Sequence, residues 1–209
     1  MLTEILETHK GRLLAANSYL CPYLDRMIHL FRQMEENAHP EFLESVKHSA
    51  YSKGDYLIQE GKPCRYLWLI EAGQLRVFRR KGSDEPTMYF YFPGEPVMMY
   101  SVFTPLTIAR ANVQFVTNGT VYSIPCNILE KLRAAFPGFA AMEMQALECR
   151  NQMLEDRVWN LLFTVAHERY QHLQEHHQLY LQTLPLTHIA SYMGVQLETL
   201  SRVRGKRRI

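Results

Sequence analysis

Apolar residues recur at three- and four-residue steps through the first part of the chain. Leu2, Ile5, Leu6, Leu13 and Leu14 are followed by Leu24, Met27, Ile28, Phe31 and Met34. This spacing predicts helix up to about residue 47, interrupted at Cys21-Pro22 and restarted at His39-Pro40 as a short helix over 41–47. From 50 to 125 the helical period disappears. Short runs of Tyr, Phe, Val, Leu and Ile alternate with turn residues such as Lys53-Gly54-Asp55, Glu71-Ala72-Gly73, Phe92-Pro93-Gly94 and Thr117-Asn118-Gly119. Closely spaced turns between short apolar runs imply a compact antiparallel β domain, a barrel or jelly roll. Its clearest hairpin joins Tyr66–Ile70 to Leu75–Phe78 around Gly73. Helix then returns. Asn127–Ala135 stops at Phe136-Pro137-Gly138, and in the long helix that follows, Phe139, Met142, Ala146, Cys149 and Met153 form a heptad-like stripe. A second stripe, Ala140, Met144, Leu147 and Leu154, flanks it. Two stripes suit two partners, the β domain and a second subunit. The regularity of the first assigns it to the subunit seam, against the plainer reading of one broad core-facing surface. Val158, Leu161, Leu162 and Val165 are expected to begin the C-terminal helical unit.

The last part of the chain carries the most specific pattern. Leu184–Arg204 reads as two short helices joined by a tight turn. Gly194 stands where the first helix must stop and the backbone must take a positive φ. Thr187 is a suitable N-cap for the first helix. Ile189, Ala190 and Met193 form its inner face, Val195 plugs the turn, and Leu200 and Val203 face inward from the second helix. Glu198, Ser201, Arg202 and Gly205 fall on the opposite side. After Glu198 the charges are Arg202, Arg204, Lys206, Arg207 and Arg208, with no acid among them. One acid, one hydroxyl and a basic end on an outward helix face suit the DNA major groove. An ordinary helical hairpin with a solvated basic tail shows the same local pattern.

Composition narrows the field. The 209 residues make one large or two small domains, and 47% hydrophobic content is ample for a core. A formal net charge of only +2 means that any nucleic-acid surface is local. The cysteines at 21, 64, 126 and 149 contain no C-x-x-C pair, so no zinc ribbon or iron–sulfur cluster is suggested. Unpaired thiols and a charged N-terminal stretch predict a cytoplasmic protein, and no apolar run is long enough for a membrane span. His167, His172, His176 and His177 crowd one helix and its exit, more as a solvated polar helix end than as a metal site. The β segment between His48 and His167 holds no histidine, and neither a Gly-x-Ser-x-Gly elbow nor a phosphate-binding Gly-rich loop is present, so no enzyme, metal or cofactor is expected.

Helix, β-roll, long helix and helix-turn-helix, in that order, resemble the Crp/Fnr family of bacterial transcription regulators. The matching words are Tyr51-Ser52-Lys53-Gly54-Asp55-Tyr56-Leu57-Ile58-Gln59-Glu60-Gly61, Tyr66–Val77, Pro93-Gly94-Glu95 and the helix-turn-helix itself. The resemblance implies an α+β fold. It comprises an N-terminal helical extension (1–26), a cyclic-nucleotide-binding-like β-roll sensor (27–135), a dimerisation helix (136–156) and a winged-helix-like DNA-binding unit (157–209). It implies a homodimer that reads double-stranded DNA, works with RNA polymerase and has no membrane partner. Gln196, Glu198, Ser201 and Arg202 are the expected base contacts, and Thr187, His188, Thr199, Arg204 and Lys206 the expected phosphate contacts. Leu197 stands where the best-known members carry arginine, so the preferred site should differ. The sensor also departs from the pattern. Met98 and Met99 occupy the places of the Gly-Glu pair that holds a ribose, and Arg110 follows one residue after the place of the phosphate arginine, now Ala109. One residue late on a strand points to the opposite face. Cyclic AMP is therefore not expected to bind. Glu95, Met98, Met99, Tyr100 and Arg110 remain as the candidate effector pocket, with aromatic and thioether neighbours suited to an apolar effector. The competing reading is an effector-binding module that acts on a protein partner and keeps a vestigial helix-turn-helix.

Overall fold

A computed structural model describes residues 2–16, 28–29, 31–33, 35–36, 40–97 and 108–205. Among these residues the order is α1 (Leu2–Ala16), α2 (Pro40–Ser45), β1 (Lys47–Tyr51), β2 (Tyr56–Ile58), β3 (Tyr66–Ala72), β4 (Leu75–Phe78), β5 (Thr87–Tyr91), β6 (Pro96–Val97), β7 (Asn112–Phe115) and β8 (Gly119–Pro125). Then come α3 (Cys126–Ala135), α4 (Pro137–Phe163), α5 (Ala166–His176), α6 (Gln178–Thr183), α7 (Leu186–Met193) and α8 (Leu197–Gly205). The expected β domain is there as two antiparallel four-stranded sheets, ordered β1-β8-β3-β6 and β2-β7-β4-β5. The two hairpin strands read from sequence, β3 and β4, belong to different sheets, so the turn at Gly73 is where the chain changes layers. Backbones approach closely there. A Cβ on Gly73 (φ +92°) would lie 2.8 Å from the Asn118 carbonyl, and one on Gly119 only 2.3 Å from that of Ala72.

The roll core holds Leu67, Ile70, Leu75, Val77, Val113, Phe115, Val121 and Ile124 from both sheets. Leu2, Ile5 and Leu6 of α1 join it, so α1 is packed into the fold. Phe139, Met142, Ala146 and Cys149 are buried in this same core. The stripe expected to be the subunit seam is thus the face that α4 lays on its own roll, and Met153 at its end is half-buried. Periodicity shows that two faces are apolar; it does not say which partner each meets. A bidentate pair, Arg133 to Glu143 at 2.7 and 2.8 Å, fixes α3 to α4. The second stripe points away from the roll: Ala140 and Met144 are exposed (Met144 by 61%), and Leu147 and Leu154 are half-buried.

The long helix also runs on to Phe163, past the boundary expected near 156. No glycine or proline interrupts it after Gly138. It ends where Thr164 adopts an extended backbone (φ −119°, ψ 151°). Val158, Leu161 and Leu162 therefore lie within this helix. The C-terminal unit comprises α5–α8, with no strand among its described residues. Its core contains Tyr170, Leu173, Tyr180, Leu184, Ile189, Ala190, Met193 and Leu200, together with Phe90, Phe92 and Val116 of the roll. The C-terminal unit and the outer face of β5 therefore share one apolar cluster. No described helix is long and apolar enough to cross a membrane.

Candidate nucleic-acid interface

The turn between α7 and α8 has the conformation that its sequence demands. Gly194 is left-handed (φ 67°, ψ 34°), and its N–H and that of Val195 (3.0 Å) return to the last carbonyls of α7. Gln196 opens α8, its carbonyl accepting from the N–H groups of Thr199 and Leu200 at 3.0 and 3.1 Å. A Cβ at Gly194 would stand 3.1 Å from Leu161, so the turn rests on the end of α4. Ile189, Ala190, Met193 and Leu200 are buried as expected, and Val195 and Val203 pack beside them. The structure starts α7 two residues earlier than expected. Pro185 stands at the N-cap, with no side-chain cap bond, and Thr187 lies inside the helix and exposed. Proline's fixed φ sets the helix entry without needing a side-chain acceptor.

Fixing the inner face of α8 fixes its outer one. Gln196, Glu198, Ser201 and Arg202 are all exposed, with Arg204 beside them at the basic end. Half-buried Thr199 accepts from Arg202 Nη2 at 3.3 Å. The structure thus leaves all four expected base-contacting residues exposed, with Glu198, Ser201 and Arg202 on the outer side of α8 and Gln196 just before its first turn. Lys206 lies outside the described residues.

His188 is placed elsewhere. It faces the roll, its Nδ1 3.4 Å from Arg76 Nη1, and it is half-buried. Burial, and next the Arg76 charge, push its pKa down to about 4, so the ring is neutral and accepts from the guanidinium. Arg76 is itself held by Gln114 Oε1 (3.1 Å from Nε), by Glu85 and by the Phe78 ring 4.0 Å below. Beside it, the Thr87 N–H donates to Ser191 Oγ at 2.8 Å, and Ser191 Oγ donates to the Glu85 carbonyl at 3.4 Å. Arg157 of α4 donates to the Thr87 carbonyl (2.9 Å) and lies 4.0 Å over the Tyr192 ring, with burial lowering its pKa. Tyr180 stacks on Phe92 and meets Phe90 edge-on, both at 5.2 Å. One side of α7 is therefore bound to β5, leaving α8 as the free face.

Sequence reasoning missed this docking. Its partners are far apart in the chain and form no motif. One signal was present: Tyr89-Phe90-Tyr91-Phe92 is apolar at every position, the mark of a strand buried on both faces. Tyr89 and Tyr91 face the roll core, where Arg150 of α4 donates to Tyr91 Oη at 2.7 Å and lies 4.4 Å from the Tyr89 ring centroid. Burial lowers the Arg150 pKa to about 10.

Of the expected effector residues, Glu95 and Arg110 are among those described. Glu95 is buried, and its carboxylate accepts from the Phe92 N–H at 2.7 Å, stabilising its own turn. Ala109 is buried and Arg110 exposed. Met98, Met99 and Tyr100 lie outside the described residues. Among the described residues, no group of three His, Cys, Asp or Glu is placed to hold a metal ion.

Residues 48–136 match the family described as cyclic nucleotide-binding domain. By sequence, no curated protein matches the chain. Its fold is that of several solved structures. FixK2 of Bradyrhizobium japonicum aligns with a TM-score of 0.66 at 18% identity, over 77% of this chain and 83% of that one. The c-di-GMP-responsive global regulator CLP of Xanthomonas campestris gives 0.65 at 16%, over 80% and 88%. The catabolite activator protein of Thermus thermophilus gives 0.53 at 22%, over 85% of each. These neighbours are Crp/Fnr-family transcription regulators, not enzymes.

Proposed function

We propose that this chain, which has the Crp/Fnr regulator fold and carries a cyclic nucleotide-binding domain over 48–136, is a homodimeric, sequence-specific DNA-binding transcription regulator. The observation that carries the reading is the exposure of Glu198, Ser201 and Arg202, with Gln196 just ahead of them, while the opposite face of α8 is locked into a core. In a major groove, the Arg202 guanidinium can give two parallel bonds to a guanine edge and the Glu198 carboxylate can accept from cytosine N4. Thr187, Thr199, Arg204 and Lys206 are the phosphate contacts of this reading, and His188 is withdrawn from it. Leu197, 36% exposed, offers an apolar surface to a thymine methyl.

A single reading helix makes few contacts, so the function needs two. The second stripe of α4 (Ala140, Met144, Leu147 and Leu154) continues outward through Val158 and Leu162, both more than half exposed. Pairing two chains along it would present two reading helices, which a two-fold site requires about 34 Å apart. Such a dimer works in the cytoplasm with RNA polymerase as its further partner. In this reading the sensor takes no cyclic nucleotide, which the exposed Arg110 and the Phe92 N–H bond accepted by Glu95 support. Selection of binding sites from random duplexes tests the whole reading. Enrichment of a palindrome with half-sites one helical turn apart is expected, and a purified dimer that enriches nothing refutes it.

A further inference from the structure

The geometry points to a second small-molecule site on the roll, a cleft for a planar anion, separate from the expected effector pocket and from the DNA-reading face. The cleft, of about 460 Å³, lies between β1, β2, the 59–65 segment and the start of β3. Small-ligand sites fall in the range of roughly 300–1,000 Å³. Its lining divides by chemistry. Tyr51, Tyr56, Tyr66 and the buried Trp68 supply aromatic surface, with the Tyr66 and Trp68 rings 5.8 Å apart. Lys47, Lys62 and Arg65 supply three positive charges, and among the described residues no carboxylate lines the cleft.

Exposed lysines are usually just solvated, so the acids nearby decide the matter. Asp55, which bears on Tyr51, accepts from the Ser52 N–H at 2.7 Å. Glu60 is paired with Arg79 at 3.1 Å. Among the described residues, Lys47, Lys62 and Arg65 form no ion pair. Cations of one sign around a low-dielectric aromatic surface concentrate anions, and flat rings give a planar ligand a stacking surface. The chemistry selects an aromatic carboxylate, sulfonate or phosphate. The same wall reaches the sensor strand. The Gly61 N–H donates to the Ala109 carbonyl, and the Ala109 N–H to the Lys62 carbonyl, both at 2.8 Å. A ligand that draws in Lys62 therefore pulls on the backbone next to Arg110.

The full-length Trp159→Phe variant leaves Trp68 as the only tryptophan, since the chain holds two. It is titrated with the anionic probe 1-anilinonaphthalene-8-sulfonate and with N-phenyl-1-naphthylamine, the same ring system without the sulfonate. One saturable site per chain is expected, with energy transfer from Trp68. The neutral probe should bind at least tenfold more weakly. The double change Lys62→Glu and Arg65→Glu should lower affinity for the anionic probe at least tenfold while the circular dichroism spectrum stays the same. Should charge reversal disturb that spectrum, Lys62→Gln with Arg65→Gln replaces it, with a loss of at least threefold expected. No transfer from Trp68, equal affinity for the two probes, or affinity unchanged by removing the charges overturns the proposal. None of these outcomes depends on DNA binding.

Discussion

At the scale of single residues, reading a base and holding a phosphate are separable. Arg202→Ala is expected to relax preference at one base pair, costing roughly 1–3 kcal/mol there, while other positions keep their discrimination. Arg204→Ala is expected to weaken all sequences about equally and to flatten the dependence of affinity on salt. Competition binding with single-base-pair variants of the selected site, repeated at several ionic strengths, distinguishes the two. His188 gives a different kind of prediction. Its folded pKa of about 4 lies below the unfolded value of about 6.5, so the unfolded chain binds the extra proton first. Its contribution is complete above pH 6.5 and disappears as pH falls from there toward 4. The ring is only half-buried and faces Arg76, Glu85 and, more distantly, Lys53, so solvent screening reduces the effect to roughly 1–2 kcal/mol. Urea unfolding at pH 7 and pH 4.5 should show that increment in the native protein. His188→Gln should lose that part of the difference.

At the scale of elements, the two faces of α4 should respond in opposite ways. Met144→Glu and Leu147→Glu are expected to yield folded monomers, seen by sedimentation, with DNA affinity lost beyond any loss of stability. Phe139→Ala is expected to cost about 3–5 kcal/mol of stability, because its ring is 1% exposed in the roll core, and to leave association of the folded fraction intact. A monomeric Phe139→Ala protein of native stability would reverse the assignment of the faces. This helix also shows where the sequence stops being legible. Its existence, its start near residue 136 and both apolar stripes were readable, because period and proline act locally. Which stripe meets the roll depends on how the sheets present their surfaces, and no spacing within 139–153 encodes that. The α7–α8 turn was readable nearly to the residue, because Gly194 and the inner apolar positions are local requirements. The fate of His188 was not, since it is set by Arg76, 112 positions away in the chain.

At the scale of the molecule, the roll and the C-terminal unit are joined by an apolar cluster and by the contacts of Arg76, Thr87 and Arg157. They should unfold together. Trp68 reports on the roll and Trp159 on the far end of α4, so the two single-tryptophan variants provide independent probes. Coincident denaturant midpoints are expected. Separation of the two curves in wild-type-like conditions would show that the contacts seen between the units are too weak to couple them. The β-roll class and the order of the units were legible from alternating runs and turn residues. The shared cluster was visible only as an unbroken apolar run whose second partner the sequence does not name.

Strand β5 carries that arrangement in its alternation. Tyr89 and Tyr91 meet Arg150 on one side, and Phe90 and Phe92 meet the C-terminal unit on the other. Anyone grafting this reading head onto a foreign sensor would have to transplant residues 87–92 as well. A chimaera joined only after Phe163 would leave two phenyl rings' worth of greasy socket unfilled on the head, and an ill-fitting strand beneath it.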